Sequence, residues 1–179
     1  VRRGLPVLLV IMPIGAWLAI SLVMSLRTVN AGEVGIVYQF GSIVSQRNEG
    51  LVLIAPWQSM TTESIKVHRF RFGSFDGEAP EAVEIIDAAD ISSFSAENQD
   101  VFIKATVNVR VDPAAVQQLY RTVGSKWAAI LVQPRVLNFF KEETVRYTST
   151  DIAPRREQIR VSVRDRLKQE LAPYSITVE

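Results

Sequence analysis

The 179-residue sequence contains no cysteine. That absence removes disulfides, thiolate nucleophiles and cysteine-ligated zinc together. Cysteine-free chains occur on either side of a membrane, so the redox compartment is left open. Histidine is nearly as scarce, with His68 alone. One imidazole excludes a multi-histidine metal site and leaves room for at most one catalytic triad. A surplus of positive charge is missing too: 20 Lys and Arg stand against 19 Asp and Glu. Duplex-binding domains carry a clear basic excess to neutralise phosphates, so nucleic acid is not an expected partner. No Gly-rich nucleophile elbow accompanies the histidine. Neither an enzymatic activity nor a cofactor or metal is expected.

His68 lies in Lys66-Val67-His68-Arg69-Phe70, an alternating stretch that reads as a strand. Ile65 and Val67 share one face, and His68 falls on the other beside Lys66. A solvated or edge-strand histidine is expected there, in preference to a catalytic one.

The chain does have one long apolar run. Residues 5–26 carry no charge and are mostly Leu, Ile, Val, Met and Ala. At about 1.5 Å per helical residue they reach across a hydrocarbon core about 30 Å thick. Leu5, Val10, Pro13, Trp17, Leu22 and Leu26 mark this membrane anchor, with Arg2 and Arg3 before it and Arg27 after it. Two arginines ahead of the run against one directly behind favour a single span with its amino end in the cytoplasm. A cleaved signal peptide ending at Val29-Asn30-Ala31 is disfavoured, because the run exceeds the usual apolar core of about 7–15 residues. A hairpin bent at Pro13 and Gly15 is the third arrangement. Proline is tolerated in spanning helices, so Pro13 does not compel it.

Beyond the anchor the patterns change. Residues 33–40, 50–54 and 62–72 are rich in β-formers and fit a small antiparallel sheet. Residues 76–100 hold eight acidic side chains and no basic one, and read as a solvated loop. Asp87, Asp90 and Glu97 offer oxygens to a cation, but without calcium-loop spacing. Residues 100–112 form the clearest strand. Val101, Ile103, Ala105, Val107, Val109 and Val111 face one way, and Lys104, Thr106, Asn108 and Arg110 the other.

Asp112-Pro113 is a helix start, an N-cap followed by proline at the first helical position. Val116, Leu119, Tyr120 and Val123 repeat at helical spacing, and Gly124 ends the helix. A second stripe joins Trp127, Ile130, Leu131, Pro134 and Leu137, with Pro134 expected to kink or divide it. A third helix is expected over 151–171, burying Ile159, Val163, Leu167 and Leu171. Its other faces carry Arg155, Arg156, Glu157, Arg160, Arg164 and Glu170. These six are candidate subunit contacts, with a solvated face as the equal alternative. Residues 174–178 close the chain as a strand.

In order, these features are Val29-Asn30-Ala31-Gly32-Glu33-Val34-Gly35-Ile36-Val37, Phe40-Gly41, Glu49-Gly50-Leu51 and Ala55-Pro56-Trp57, behind an apolar segment. The strand with Asp112-Pro113 follows, then Asp151-Ile152, Arg156, Leu171 and Tyr174-Ser175-Ile176-Thr177-Val178. The arrangement resembles the stomatin/prohibitin/flotillin superfamily, the band-7 (SPFH) domain, nearest to its prohibitin-like members. The resemblance implies an α+β fold: an N-terminal transmembrane helix over 1–30, then two subdomains, 31–98 and 99–179, with small antiparallel sheets and packed helices. It also implies a non-enzymatic scaffold that assembles into a ring or cage on membrane lipids and organises a microdomain. Homo-oligomers, or alternation with a related subunit, are the implied assemblies, and a membrane-bound AAA protease the implied client. Two departures stand out: the sequence ends at Glu179 before the coiled coil of that pattern, and the acidic stretch 76–97 is longer than its counterpart. A secreted or anchored binding module acting without assembly is the alternative function.

Overall fold

A computed structural model describes residues 21, 25–73, 84–88 and 90–179. Leu5, Val10, Pro13, Trp17 and Leu22, the body of the expected anchor, lie outside the described residues. Among those described, no helix is long and apolar enough to cross a membrane. Leu26, expected to end the anchor, instead opens a strand. The polar residues Arg27 and Thr28 follow it, and the strand they form with Val29 has a partner in residues 50–53.

The chain forms two compact units, divided at Ser64/Ile65. The first is all β. Strands β1 (Leu26–Val29) and β4 (Gly50–Leu53) make an antiparallel ribbon, pairing Leu26 with Leu53 and Thr28 with Leu51. Strands β3 (Ser42–Arg47), β2 (Glu33–Gln39) and β5 (Gln58–Ser64) form a three-stranded antiparallel sheet with β2 in the centre. Central position explains why β2 is the apolar one: Val34, Ile36 and Val37 are all buried. A register shift between Val37 and Tyr38 marks a bulge. The ribbon approaches β2 at Gly35, where an added Cβ would stand 2.9 Å from Val29 Cγ2 and 2.8 Å from Met60 Sδ. Only a residue without Cβ permits that contact.

The three runs expected to share one sheet therefore do not. Residues 50–54 pair with β1, and 62–72 is split between β5 and β6 (His68–Phe72), which belong to different units. Residues 65–67 are the interruption.

The second unit packs helices on a four-stranded sheet ordered β11-β10-β6-β7, from β11 (Ile176–Val178), β10 (Ala105–Val111), β6 and β7 (Glu84–Ala88). All pairs are antiparallel except β6 with β7. Strand β7 arises from within the acidic segment expected to be loop, where Ile85 and Ile86 supply β-formers against Arg69 and Phe70. The break at 65–67 also resets the alternation. Burial on β6 falls on His68, Phe70 and Phe72, with Arg69 and Arg71 on the opposite face. His68 is accordingly a buried residue on an internal strand, not the solvated or edge one expected.

The strand expected over 100–112 is two strands in the same alternation phase. Ala105 pairs with Phe72, the last residue of β6, so the residues ahead of Ala105 have no partner there and pair elsewhere. Residues before Lys104 form β9 (Asp100–Ile103), antiparallel to β8 (Ile91–Phe94) in a separate ribbon.

Asp112 caps as expected, its Oδ1 accepting from Ala114 N at 2.9 Å, but the first turn (Pro113–Ala115) is 3-10 before helix α1 (Val116–Thr122) begins. Gly124 terminates it at φ +95°, its N–H donating to Leu119 O. The next helix departs from its expected stripe. Residues Ala128–Val132 form a π-turn, with Gln133 N–H donating to Ala128 O, ahead of helix α2 (Gln133–Thr144). The proline lacks an N–H for a regular turn, and the wider π-turn accommodates it. The extra residue rotates the apolar face: Leu131, Val132, Val136 and Phe140 are buried, while Ile130 and Pro134 are exposed.

After the short helix α3 (Ser149–Ile152), helix α4 (Arg156–Leu171) buries Ile159, Val163, Leu167 and Leu171 as expected. Burying four such side chains contributes on the order of 6–12 kcal/mol before entropy is set against it. Strand β11 then places Ile176 and Val178 in the same core.

Candidate functional site

Two surfaces stand out, one on each unit. On the first unit, pairing Leu26 with Leu53 and Thr28 with Leu51 puts these four residues on one face of the β1–β4 ribbon. All four are exposed, Leu51 and Leu53 at 72% and 59%. Val29 on the other face is buried. Three leucines on one wet face are unusual for a two-stranded ribbon, whose outward residues are ordinarily polar. Trp57, at 61% exposure, sits in the turn after β4.

On the second unit a groove of about 440 Å³ runs beside α4. Ile103, Ala105, Phe140, Ile152 and Ile159 give it an apolar lining, and Lys104, Arg156, Glu157 and Arg160 carry its charges. The Arg160 guanidinium holds Glu157: its Nε lies 2.9 Å from Oε2, and the second nitrogen closes on Oε1. This hydrogen bond first, then the surrounding arginines, draws the Glu157 carboxyl below the usual carboxylate range and raises Arg160. Both side chains are exposed, so the pair adds little to fold stability.

The other candidate contact residues are placed as follows. Arg155 lies over the Tyr147 ring at 5.8 Å. Arg164 pairs with its neighbour Asp165 at 3.0 Å. Glu170 reaches Arg135 at 3.8 Å, and Arg166 is bound by Glu142 and stacked on Phe139 at 4.3 Å. The helix face is thus partly satisfied within one chain. Arg156 and Arg160 are drawn to the groove, whereas Arg155, Arg164 and Glu170 do not line it.

The enzyme-like candidates are not assembled. His68 is 2% exposed, edge-on to Trp127 at 5.3 Å. Asp87 is held by Arg71 through two hydrogen bonds of 2.8 and 3.1 Å, and Glu97 accepts from Ser149. Among the described residues, no group of three or more His, Asp or Glu is placed to hold a metal ion.

Sequence reasoning passed over Leu51, Leu53, Phe94 and Phe102, all exposed. A signal for Phe102 was present, because it shares the wet phase of its strand with Lys104 and Thr106. An aromatic in that series asks for a partner.

A sequence model of the SPFH domain / Band 7 family matches residues 27–179. Among curated proteins none matches the chain.

Proposed function

The chain belongs to the SPFH domain / Band 7 family, whose members are in general membrane-associated, non-enzymatic scaffolds, and on that premise we propose that this protein is itself a prohibitin-like, self-assembling scaffold lying against a bilayer. The observation that carries the reading is the leucine face of the β1–β4 ribbon. It begins at Leu26, where the uncharged run of residues 5–26 ends, so an anchor in the bilayer delivers the ribbon to the headgroup region. Leucines exposed there exchange water for acyl chain, at roughly 25 cal/mol per Å² of apolar area removed from water.

The proposed arrangement is a single span with a cytoplasmic amino end, or a hairpin at Pro13. Many copies, alone or alternating with a related subunit, enclose a patch of lipid. A membrane-bound AAA protease is the proposed client.

The cysteine-free sequence makes the test direct. A fluorophore is placed at Leu51→Cys or Leu53→Cys, and at Arg110→Cys on β10 as reference, in the full chain reconstituted into vesicles containing nitroxide-labelled lipid. Strong quenching at 51 and 53 with little at 110 is expected. Equal, weak quenching at all three sinks the membrane-apposed ribbon. The mass of the detergent-solubilised complex tests assembly, and a monomer or dimer refutes it.

A further inference from the structure

Resting on the membrane-apposed reading, we propose that Phe40, at the tip of the β2–β3 hairpin, is a depth-setting anchor. It brings the first unit to the bilayer end-on and gives up hairpin stability to do so.

The hairpin is strained at that residue. Gln39 pairs with Ser42, leaving a two-residue loop in which Phe40 and Gly41 both have positive φ, +50° and +84°. That is the type I′ geometry, for which Asn-Gly is a preferred pair. A phenylalanine in the left-handed region carries a steric cost that asparagine and glycine largely escape. Burial does not offset it, because Phe40 is 84% exposed. A bulky residue held in a strained conformation, and not used by the core, points to work outside the fold.

The tip stands where the apolar run arrives. Gln39 also pairs with Gln58, their side chains joined at 3.0 Å, so Phe40 and Trp57 extend beyond the same end of the three-stranded sheet. Residues 55–58 form a turn closed by Gln58 N–H donating to Ala55 O at 2.9 Å, and Ile54 just before it donates to Ser25 O. One tight turn thus connects the sheet end bearing Phe40 to the ribbon end bearing Leu26 and Leu53. The uncharged run of residues 5–26 reaches the unit at this end.

Charge divides along the same axis. Neither 34–46 nor 50–62 contains a charged residue. Arg27, opposite Val52, is charged, but its long stem lets the guanidinium stay among lipid phosphates. Arg47, Glu63 and Glu33 lie at the far end, opposite Gly35, Val34 and Ser64, and Glu49 accepts there from Gly32 N at 3.2 Å. A body that is aromatic and uncharged at one end and charged at the other takes one direction at an interface. Exposed Trp and Phe rings settle at the boundary between headgroups and acyl chains. The leucine face alone would let the ribbon lie flat, whereas the tip adds a contact that turns the strands towards the membrane.

The test compares the two ends of one strand. A fluorophore is placed at Ser42→Cys or Arg47→Cys in the full chain, reconstituted into phosphatidylcholine vesicles containing nitroxide-labelled lipid. The sites lie about 15 Å apart along β3. Strong quenching at 42 and weak quenching at 47 are expected. Phe40→Asn should then lower the quenching at 42 several-fold, and Phe40→Trp should retain it. Hydrogen exchange of the β2–β3 amides should meanwhile slow in Phe40→Asn, since Asn-Gly suits the turn; a role in the fold alone would give the opposite.

Equal quenching at 42 and 47, with 51 and 53 still strongly quenched, overturns the end-on anchor and leaves the leucine face standing. Weak quenching at 42, 51 and 53 alike overturns both. Unchanged quenching at 42 in Phe40→Asn, or faster exchange of its hairpin amides, refutes the trade of stability for anchoring.

Discussion

Replacing Gly35 with alanine puts a methyl group where the β1–β4 ribbon rests on β2. The new Cβ would meet Met60 Sδ at 2.8 Å and Val29 Cγ2 at 2.9 Å. Met60 ends in a flexible thioether that can swing aside. Val29 cannot: it is β-branched, 2% exposed and held by pairing with Gly50. Relief then requires β1 to lift. Overpacking of this kind costs about 1–3 kcal/mol, and alanine recovers about 0.4–1 kcal/mol by restricting the unfolded chain. A net loss of about 0.5–2 kcal/mol corresponds to a roughly two- to thirty-fold rise in local opening, at about 1.4 kcal/mol per decade.

Hydrogen exchange read by mass spectrometry on the full chain in detergent reports it by segment. Amides of β1 and β4, and Ile54 N–H, which donates to Ser25 O at 2.9 Å, should exchange faster. Those of Arg156–Leu171 should not change. Adding Val29→Ala should restore protection in part, because it removes the stiff wall. Unchanged or stronger protection of the ribbon in Gly35→Ala would refute the idea that this close approach holds it in place.

Gly124→Ala should cost about 1 kcal/mol, because φ is +95° and no atom lies within 4 Å of the new Cβ, so the loss is conformational alone; thermal unfolding checks it. Leu167→Ala, at a site 1% exposed, should cost about 2–5 kcal/mol and be seen as a lowered denaturant midpoint. The Glu157 carboxyl, lowered by Arg160, should titrate below a solvated glutamate in a ¹³C-detected NMR series. Since its folded value lies below the unfolded one, its contribution is present above about pH 4.3 and fades as pH falls through the folded value. In Arg160→Gln the carboxyl should return towards the ordinary range, and no such return would show that Arg160 is not the cause.

Much of the second unit was legible because its elements carry strong local periodicity. The stripe Ile159, Val163, Leu167 and Leu171 repeats every four residues, and all four are buried. The Asp112-Pro113 start and the Gly124 stop rest on chemistry within a few residues of each boundary, the Asp112 cap and a left-handed glycine. Errors fell where a non-local partner decided. Ile65 and Val67 suggested a continuous strand whose alternation turned His68 outward. The interruption at 65–67 and the flanking β10 and β7 turned it inward. Ile130 matched the helical stripe until the π-turn rotated it out.

The candidate surfaces were less legible than the core. Arg156 and Arg160 were visible as a charged helix face, but the groove they border needs Ile103 and Phe140, which come from distant stretches of chain. Strand β3 was missed because its Ser42, Ser45, Gln46 and Arg47 dilute any apolar signal, and it exists through pairing with β2.

What the sequence by itself determined is what adjacent residues decide: the uncharged run of residues 5–26, the caps, the helix that buries every fourth residue, and the family to which the chain belongs. Which strands share a sheet, and where leucines and phenylalanines stay exposed, were decided only in the tertiary structure. The physical reason is that a strand's hydrogen bonds and its covering layer both come from elsewhere in the chain, so its buried face is chosen by its partners.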